Sequence, residues 1–209
     1  MYKLIFSLIL GYLFGSLSFA VIISRIKGIN IREVGTGNPG AANVYREVGK
    51  PYGIAVWILD TLKGVVPMII SYQFLHLPFL VVSATGALAI AGHCWSIFLR
   101  FKGGKGVATM GGVTLYLFPI IFPIGALLYF WVQKSGRKPI IIYIAFLIFF
   151  SALFIFYHTN FLSPFISYYF FPHKKWLEII LSLIILFFIA FSANITTIRE
   201  VKMTWAKKR

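Results

Sequence analysis

Apolar runs close to the length of a membrane span recur along this chain, and no other feature restricts its fold as strongly. A helix needs about 20 residues to cross a hydrocarbon core roughly 30 Å thick, and within that core every backbone polar group must be bonded internally. Runs at 4–24, 52–74, 77–99, 107–132, 140–157 and 176–194 meet or approach that length. Charged residues make up only 12% of the 209 positions, against about 25% in an ordinary soluble domain. The expectation is an all-α, polytopic integral membrane protein in which 1–209 forms one membrane-embedded domain. The first run is followed by a polar loop and no small-residue cleavage pattern, so it reads as a retained helix.

The distribution of charge orients these runs. The formal net charge is +15, from 20 Lys and Arg against 5 Asp and Glu. In a soluble protein that excess would suggest nucleic acid. Here the cations cluster between the apolar runs, which is the positive-inside pattern together with attraction to anionic lipid, and no nucleic-acid partner is expected. Lys3 stands alone before the first run, whereas Arg25, Lys27 and Arg32 follow it. The N-terminus is therefore expected outside and the loop after the first run in the cytoplasm. Pro119 and Pro123 interrupt 107–132, and a basic loop with Lys134, Arg137 and Lys138 follows. One span there would put that loop outside, and two short helices would put it inside, as the charge rule favours. The second choice gives about seven spans and a cytoplasmic tail carrying Arg199, Lys202, Lys207, Lys208 and Arg209. Residues 159–175, rich in aromatics, are expected to lie in the interface.

Two glycine-rich, cationic stretches stand out from this background. In 103–106 three glycines surround Lys105. Glycine costs about 1 kcal/mol relative to alanine inside a helix, so this is a loop, and Val107-Ala108-Thr109 reads as the start of the next helix. A helix N-terminus with bare backbone favours phosphate, and Lys105 adds a point charge. A glycine turn at the water interface is the competing reading. The Walker A pattern does not fit, because Gly106 follows Lys105. In 35–49, Asn38 suits an N-cap and Pro39 the first helical position, so a short helix is expected over 39–48, ended by Gly49. Gly35-Thr36-Gly37 before it is a second candidate anion nest. Asn43 and Arg46, three apart, would share a face, and Arg46 offers a bidentate contact to phosphate. The alternative for this stretch is a capped amphipathic helix in the interface.

Several single residues carry weaker signals. Asp60 and Lys63 sit inside a span at i, i+3, where charges are costly and usually paired or functional. Two readings are open: they neutralise each other, or Asp60 holds Lys63 towards a polar cavity. His93 near the inner end of 77–99 reads first as a hydrogen-bonded structural residue and second as a base. Cys94, the single cysteine, excludes an internal disulfide and reads as a small core residue. Gly11 and Gly15-Ser16 mark close helix packing. There are no paired carboxylates, no Ser-His-Asp order, no metal-ligand spacing and no internal repeat, so neither a metal nor a cofactor is expected. A transporter should show repeats or paired broken helices at the midplane, and both glycine motifs here lie at one membrane face.

The stretch Gly35-Thr36-Gly37-Asn38-Pro39-Gly40-Ala41-Ala42-Asn43-Val44-Tyr45-Arg46 resembles the first motif of the acyl-phosphate-dependent glycerol-3-phosphate acyltransferases. Gly92-His93 through Phe101-Lys102-Gly103-Gly104-Lys105-Gly106-Val107-Ala108-Thr109 is similar to the second. Gly15-Ser16, Asp60-Thr61-Leu62-Lys63-Gly64 and Asn194-Ile195 also fall in family positions, so the likeness covers essentially the whole chain. The resemblance implies an enzyme of the bacterial cytoplasmic membrane with its site on the cytoplasmic face. Its substrates would be acyl phosphate and sn-glycerol 3-phosphate, acylated on the 1-hydroxyl to lysophosphatidic acid, with membrane lipids around it. It implies Lys105, Arg46 and Asn194 as catalytic, with Thr36, Gly37, Asn38, Asn43, Lys63, His93, Gly103, Gly104 and Gly106 around the substrates' phosphates. This chain has Thr36 for the usual serine, Ala42 for a frequent threonine, and Ser18 and Ser96 for frequent prolines. Phe191 stands where the third motif usually has histidine, and the glycine-glutamate block expected after Asn194 is not recognisable. The alternative is thus a catalytically impaired paralogue that binds phosphorylated lipid precursors or partners an active enzyme.

Overall fold

The computed structural model describes residues 1–117 and, beyond them, Leu127 and Ile184. Expectations for the breaks at Pro119 and Pro123, the later spans, the loop at Arg137, the C-terminal tail, Phe191 and Asn194 lie outside the described residues. The chain divides into two compact units, one of Met1–Val113 with Leu177–Arg209 and one of Thr114–Trp176. Among the described residues the elements are all helical: α1 Tyr2–Ser16, α2 Phe19–Ile26, α3 Ala41–Glu47, α4 Lys50–Ile69, α5 Phe79–Cys94 and α6 Val107–Leu117. A π-helical turn, Ile70–Phe74, extends α4, and a 3-10 turn, Ile97–Leu99, follows α5. The stretches Tyr2–Ile26, Lys50–Phe74 and Phe79–Leu99 are long and apolar enough to cross a membrane.

The first stretch is not the single continuous helix expected over 4–24. It breaks at Leu17-Ser18, where both residues are extended and Ser18 Oγ accepts from Val21 N at 3.4 Å to start α2. Hydropathy runs unbroken through this point, so it conceals the interruption. A break inside a membrane leaves helix-end carbonyls without partners, and each must find a donor. Ser16 O accepts from Ser96 Oγ at 2.6 Å, and Leu17 O accepts from Lys63 Nζ at 2.7 Å. The break is thus tied to α4 and to the end of α5.

α1 packs on α5 along small residues, as Gly11 and Gly15 suggested. A Cβ at Gly11 would collide with Thr85 O, one at Gly15 with Ala89 O, and one at Gly92 with Tyr12 O. Backbones approach this closely only where side chains are missing, which is how helices associate tightly without a hydrophobic driving force. At the far end of the seam, Ser7 Oγ lies 2.5 Å from Ser71 Oγ and 2.6 Å from Thr85 Oγ1. That buried hydroxyl cluster joins α1, the π turn and α5.

The loop between α2 and α4 packs through an apolar cluster of Ala20, Val21, Ile31, Val44 and Val56, with Val34, Val48, Tyr52 and Leu99 against it. α3 begins at Ala41, two residues later than the Pro39 start expected. Asn38 does not cap it: Gly40 occupies the cap in an extended conformation and makes no side-chain capping bond. The start is fixed by Asn43, which turns inward to hold the loop.

Candidate phosphate-binding loops at the ends of α3 and α5

The first loop is organised by Asn43, which is 1% exposed. Its Oδ1 accepts from Thr36 N at 3.0 Å, and its Nδ2 donates to Ile31 O and Val34 O, both at 3.1 Å. Both amide protons are consumed, so Asn43 has no donor left for an anion. Through these three bonds it fastens the loop to α3. The two residues therefore do not act from one face, since Arg46 is exposed. Gly35 and Gly37 take the left-handed conformation, at φ of 58° and 66°, that a residue with a Cβ adopts only with strain. The loop is not the open nest expected, however. Gly37 N donates to Val34 O at 3.0 Å, Gly40 N to Asn38 O at 2.9 Å, and Asn38 N to Thr36 Oγ1 at 3.4 Å. With Thr36 N also bonded, these amides are taken up within the loop.

The second loop is pinned differently. The last carbonyls of α5 would be orphaned at the helix end. Gly104 N donates to His93 O and Gly103 N to Cys94 O, both at 3.0 Å, and so satisfies them. The amides of Gly103 and Gly104 thus face inward and cap the end of α5. Both glycines are required by close approach: a Cβ at 103 would run into His93 O and one at 104 into His93 Nε2. Gly106, at φ 76°, turns the chain into α6, and Met110 N donates to its carbonyl at 2.8 Å. Val107 therefore opens the helix where the sequence placed its start. The first-turn amides of α6 have no intrahelical acceptor, and Lys105 is exposed beside them. The first-turn amides of α3, at Ala41 and Ala42, are in the same position.

A buried polar group supports this loop from beneath. Lys63 Nζ lies 2.9 Å from Asp60 Oδ1 as an ion pair, and the same ammonium holds Leu17 O. The ion pair that both readings of these residues require is present. Lys63, 3% exposed, thereby engages two protein partners with two of its three donors. His93 Nδ1 lies 3.2 Å from Thr109 Oγ1 and 3.9 Å from Asp60 Oδ1, while its Nε2 edge abuts Gly104. His93 is thus the support on which the glycine loop rests. Thr109, fully buried, had no role in the sequence reading beyond its place in the motif, and Leu17 O could not be read from side chains at all. Cys94 is free and buried against Gly106. Among the described residues no group of three His, Cys, Asp or Glu is placed to hold a metal ion.

With this geometry in view, comparison with known proteins is informative. Residues 5–201 match the family model described as glycerol-3-phosphate acyltransferase. A glycerol-3-phosphate acyltransferase of Aquifex aeolicus is 43% identical over 119 residues, 57% of this chain and 62% of that protein. One of Geotalea daltonii is 47% identical over 114 residues, 54% of this chain and 58% of that protein. The aligned stretches thus span less than two thirds of these relatives. A crystal structure of PlsY (YgiH), an integral membrane glycerol 3-phosphate acyltransferase, in its glycerol 3-phosphate form, superposes with a TM-score of 0.72 at 29% identity. That match covers 96% of this chain and 92% of the other.

Proposed function

We propose a reaction from the premise that this chain belongs to the glycerol-3-phosphate acyltransferase family. It transfers an acyl group from acyl phosphate to the 1-hydroxyl of sn-glycerol 3-phosphate, at the cytoplasmic face of a bacterial inner membrane. The whole chain, 1–209, acts as one membrane-embedded domain with about seven spans, its N-terminus outside and its C-terminus cytoplasmic. The hydroxyl oxygen attacks the acyl carbonyl carbon, the bond from that carbon to the phosphate oxygen breaks, and inorganic phosphate leaves. The hydroxyl proton passes to a substrate phosphate, so no protein base is needed and no cofactor takes part. The products are lysophosphatidic acid and phosphate.

The observation that carries this reading is the loop at 103–106, fastened to α5 through two backbone bonds with Lys105 exposed at the start of α6. Lys105, Gly106 and the first amides of α6 bind one phosphate; Arg46, with Thr36, Asn38 and Asn194, binds the other, and Gly37 shapes the loop that carries them. Asn43, Lys63, Asp60, His93, Gly103 and Gly104 are positioning residues. Both substrates are phosphate esters or anhydrides, and the helices supply a hydrocarbon setting for the acyl tail. The test is purified protein with glycerol 3-phosphate and, separately, acyl phosphate or acyl-CoA. Lysophosphatidic acid from acyl phosphate alone is expected, and product from acyl-CoA alone would overturn the donor assignment. One observation favours a second reading, the impaired paralogue: Phe191 can neither donate a hydrogen bond nor carry charge towards a phosphate. Binding of glycerol 3-phosphate without turnover on any donor would favour it.

A further inference from the structure

A second basic site shares none of its lining residues with those assigned above. A cavity of about 320 Å³ is lined by Arg25 at the end of α2, Asn30 and Arg32 in the following loop, and Arg100 and Lys102 after α5, with Phe98 and Leu99 on one wall. Neither Lys105 nor Arg46 belongs to it. Its size is at the small end of ligand sites, which run from about 300 to 1,000 Å³, and suits a headgroup rather than an acyl chain. Among the described residues, none of these four cations is ion-paired with a carboxylate, and the nearby acid Glu33 is held by Asn30 at 2.5 Å. Four like charges around one cavity repel each other, so an anion seated among them gains from each, and three guanidinium forks match phosphate oxygens.

The wall of this cavity is built at some conformational expense. Arg100 and Phe101 both adopt left-handed conformations, at φ of 53° and 59°, which non-glycine residues rarely do. Phe101 N donating to Ser96 O at 2.8 Å and Lys102 N to Leu99 O at 3.1 Å hold that turn. Strain of this kind concentrates at functional positions. The turn places cations next to exposed apolar side chains: Ile97 is 49% exposed, Phe98 62% and Phe101 59%. Basic heads beside apolar bodies are the composition of a surface lying at a membrane interface.

We propose that this cavity seats the phosphate-bearing headgroup of an anionic membrane lipid. The apolar rim favours a lipid over a free phosphate ester, because a soluble anion has no use for it. A zwitterionic lipid is disfavoured, since its own ammonium would face the four cations. The test is native mass spectrometry of the whole protein in detergent, titrated with phosphatidylglycerol or phosphatidylcholine. Wild type should bind one phosphatidylglycerol in preference to phosphatidylcholine. Arg25→Gln with Arg100→Gln, and separately Arg32→Gln with Lys102→Gln, should each lower that affinity roughly thirtyfold, from the usual worth of two basic side chains near an anionic surface. All four side chains are exposed, so helical content should be unchanged, and Lys50→Gln, outside the cavity, should bind as wild type does. Equal binding of the two lipids, or unchanged binding in both double variants, would overturn the assignment. So would an equal loss of glycerol 3-phosphate or inorganic phosphate binding in the same variants, which would make the cavity a site for a soluble anion.

Discussion

Replacing Gly103 by alanine sets a methyl group against two backbone carbonyls. The added carbon would overlap His93 O and lie 2.9 Å from Cys94 O. Neither atom belongs to a side chain that can rotate aside, so the loop itself must lift. Lifting it breaks or stretches the bonds from Gly103 N to Cys94 O and from Gly104 N to His93 O, now 3.0 Å each. Two such bonds are worth about 1–3 kcal/mol together. The larger effect falls on turnover, because Lys105 and the first amides of α6 move with the loop, and a displacement of about 1 Å at a reacting group costs around a hundredfold. Gly28→Ala is the control. Gly28 is also left-handed, at φ 72°, but has nothing within 4 Å of a built Cβ. It should cost about 1–2 kcal/mol of backbone strain and leave turnover intact. Thermal unfolding in detergent and lysophosphatidic acid formation from acyl phosphate read the two effects separately. If Gly103→Ala turns over at the wild-type rate, the pinned loop does not position the chemistry.

Three further outcomes follow from the same geometry. Asp60→Asn should destabilise the protein by about 3–5 kcal/mol, since it strands the buried Lys63 ammonium, and adding Lys63→Met should recover part of that loss in the same unfolding measurement. Asn43→Ala removes three hydrogen bonds to the first loop and should cost about 3 kcal/mol, with protease cleavage between Ile31 and Thr36 appearing before global unfolding. Phe191→His should raise the rate of acyl transfer roughly ten- to hundredfold, the worth of a hydrogen bond to a charged group formed in the transition state; a slower enzyme would mean that the pocket is rebuilt around phenylalanine.

What could be read from the sequence was local. The Gly11 and Gly15 seam, the loop at 103–106 and the start of α6 at Val107 each follow from residue types and their near neighbours. What could not be read depends on partners far away in the chain. The break at Leu17-Ser18 is apolar on both sides, and it is stabilised by Lys63, 46 residues later, and Ser96, 80 residues after Ser16. A hydropathy profile has no access to such bonds, although Ser18 stands where the family often carries proline, a residue that would itself interrupt a helix. Asn43 looked like a partner of Arg46 because i, i+3 spacing defines a shared face. The competing demand of three loop backbone groups turned it inward, and the same demand moved the start of α3 past Asn38 and Pro39. The capping of α5 by the amides of Gly103 and Gly104 was hidden for a related reason: its acceptors lie further back in the chain, at His93 and Cys94.

Affinity for an acyl-phosphate mimic at Lys105 tests the central claim most directly. Isothermal titration of the detergent-solubilised protein with a non-hydrolysable acyl phosphonate, in wild type and Lys105→Ala, measures it without turnover. Losing a charge-assisted contact worth about 1.5–3 kcal/mol should weaken binding roughly ten- to hundredfold, with the unfolding temperature unchanged because Lys105 is exposed. Equal affinity in the two proteins would contradict the assignment of the 103–106 loop as the phosphate site.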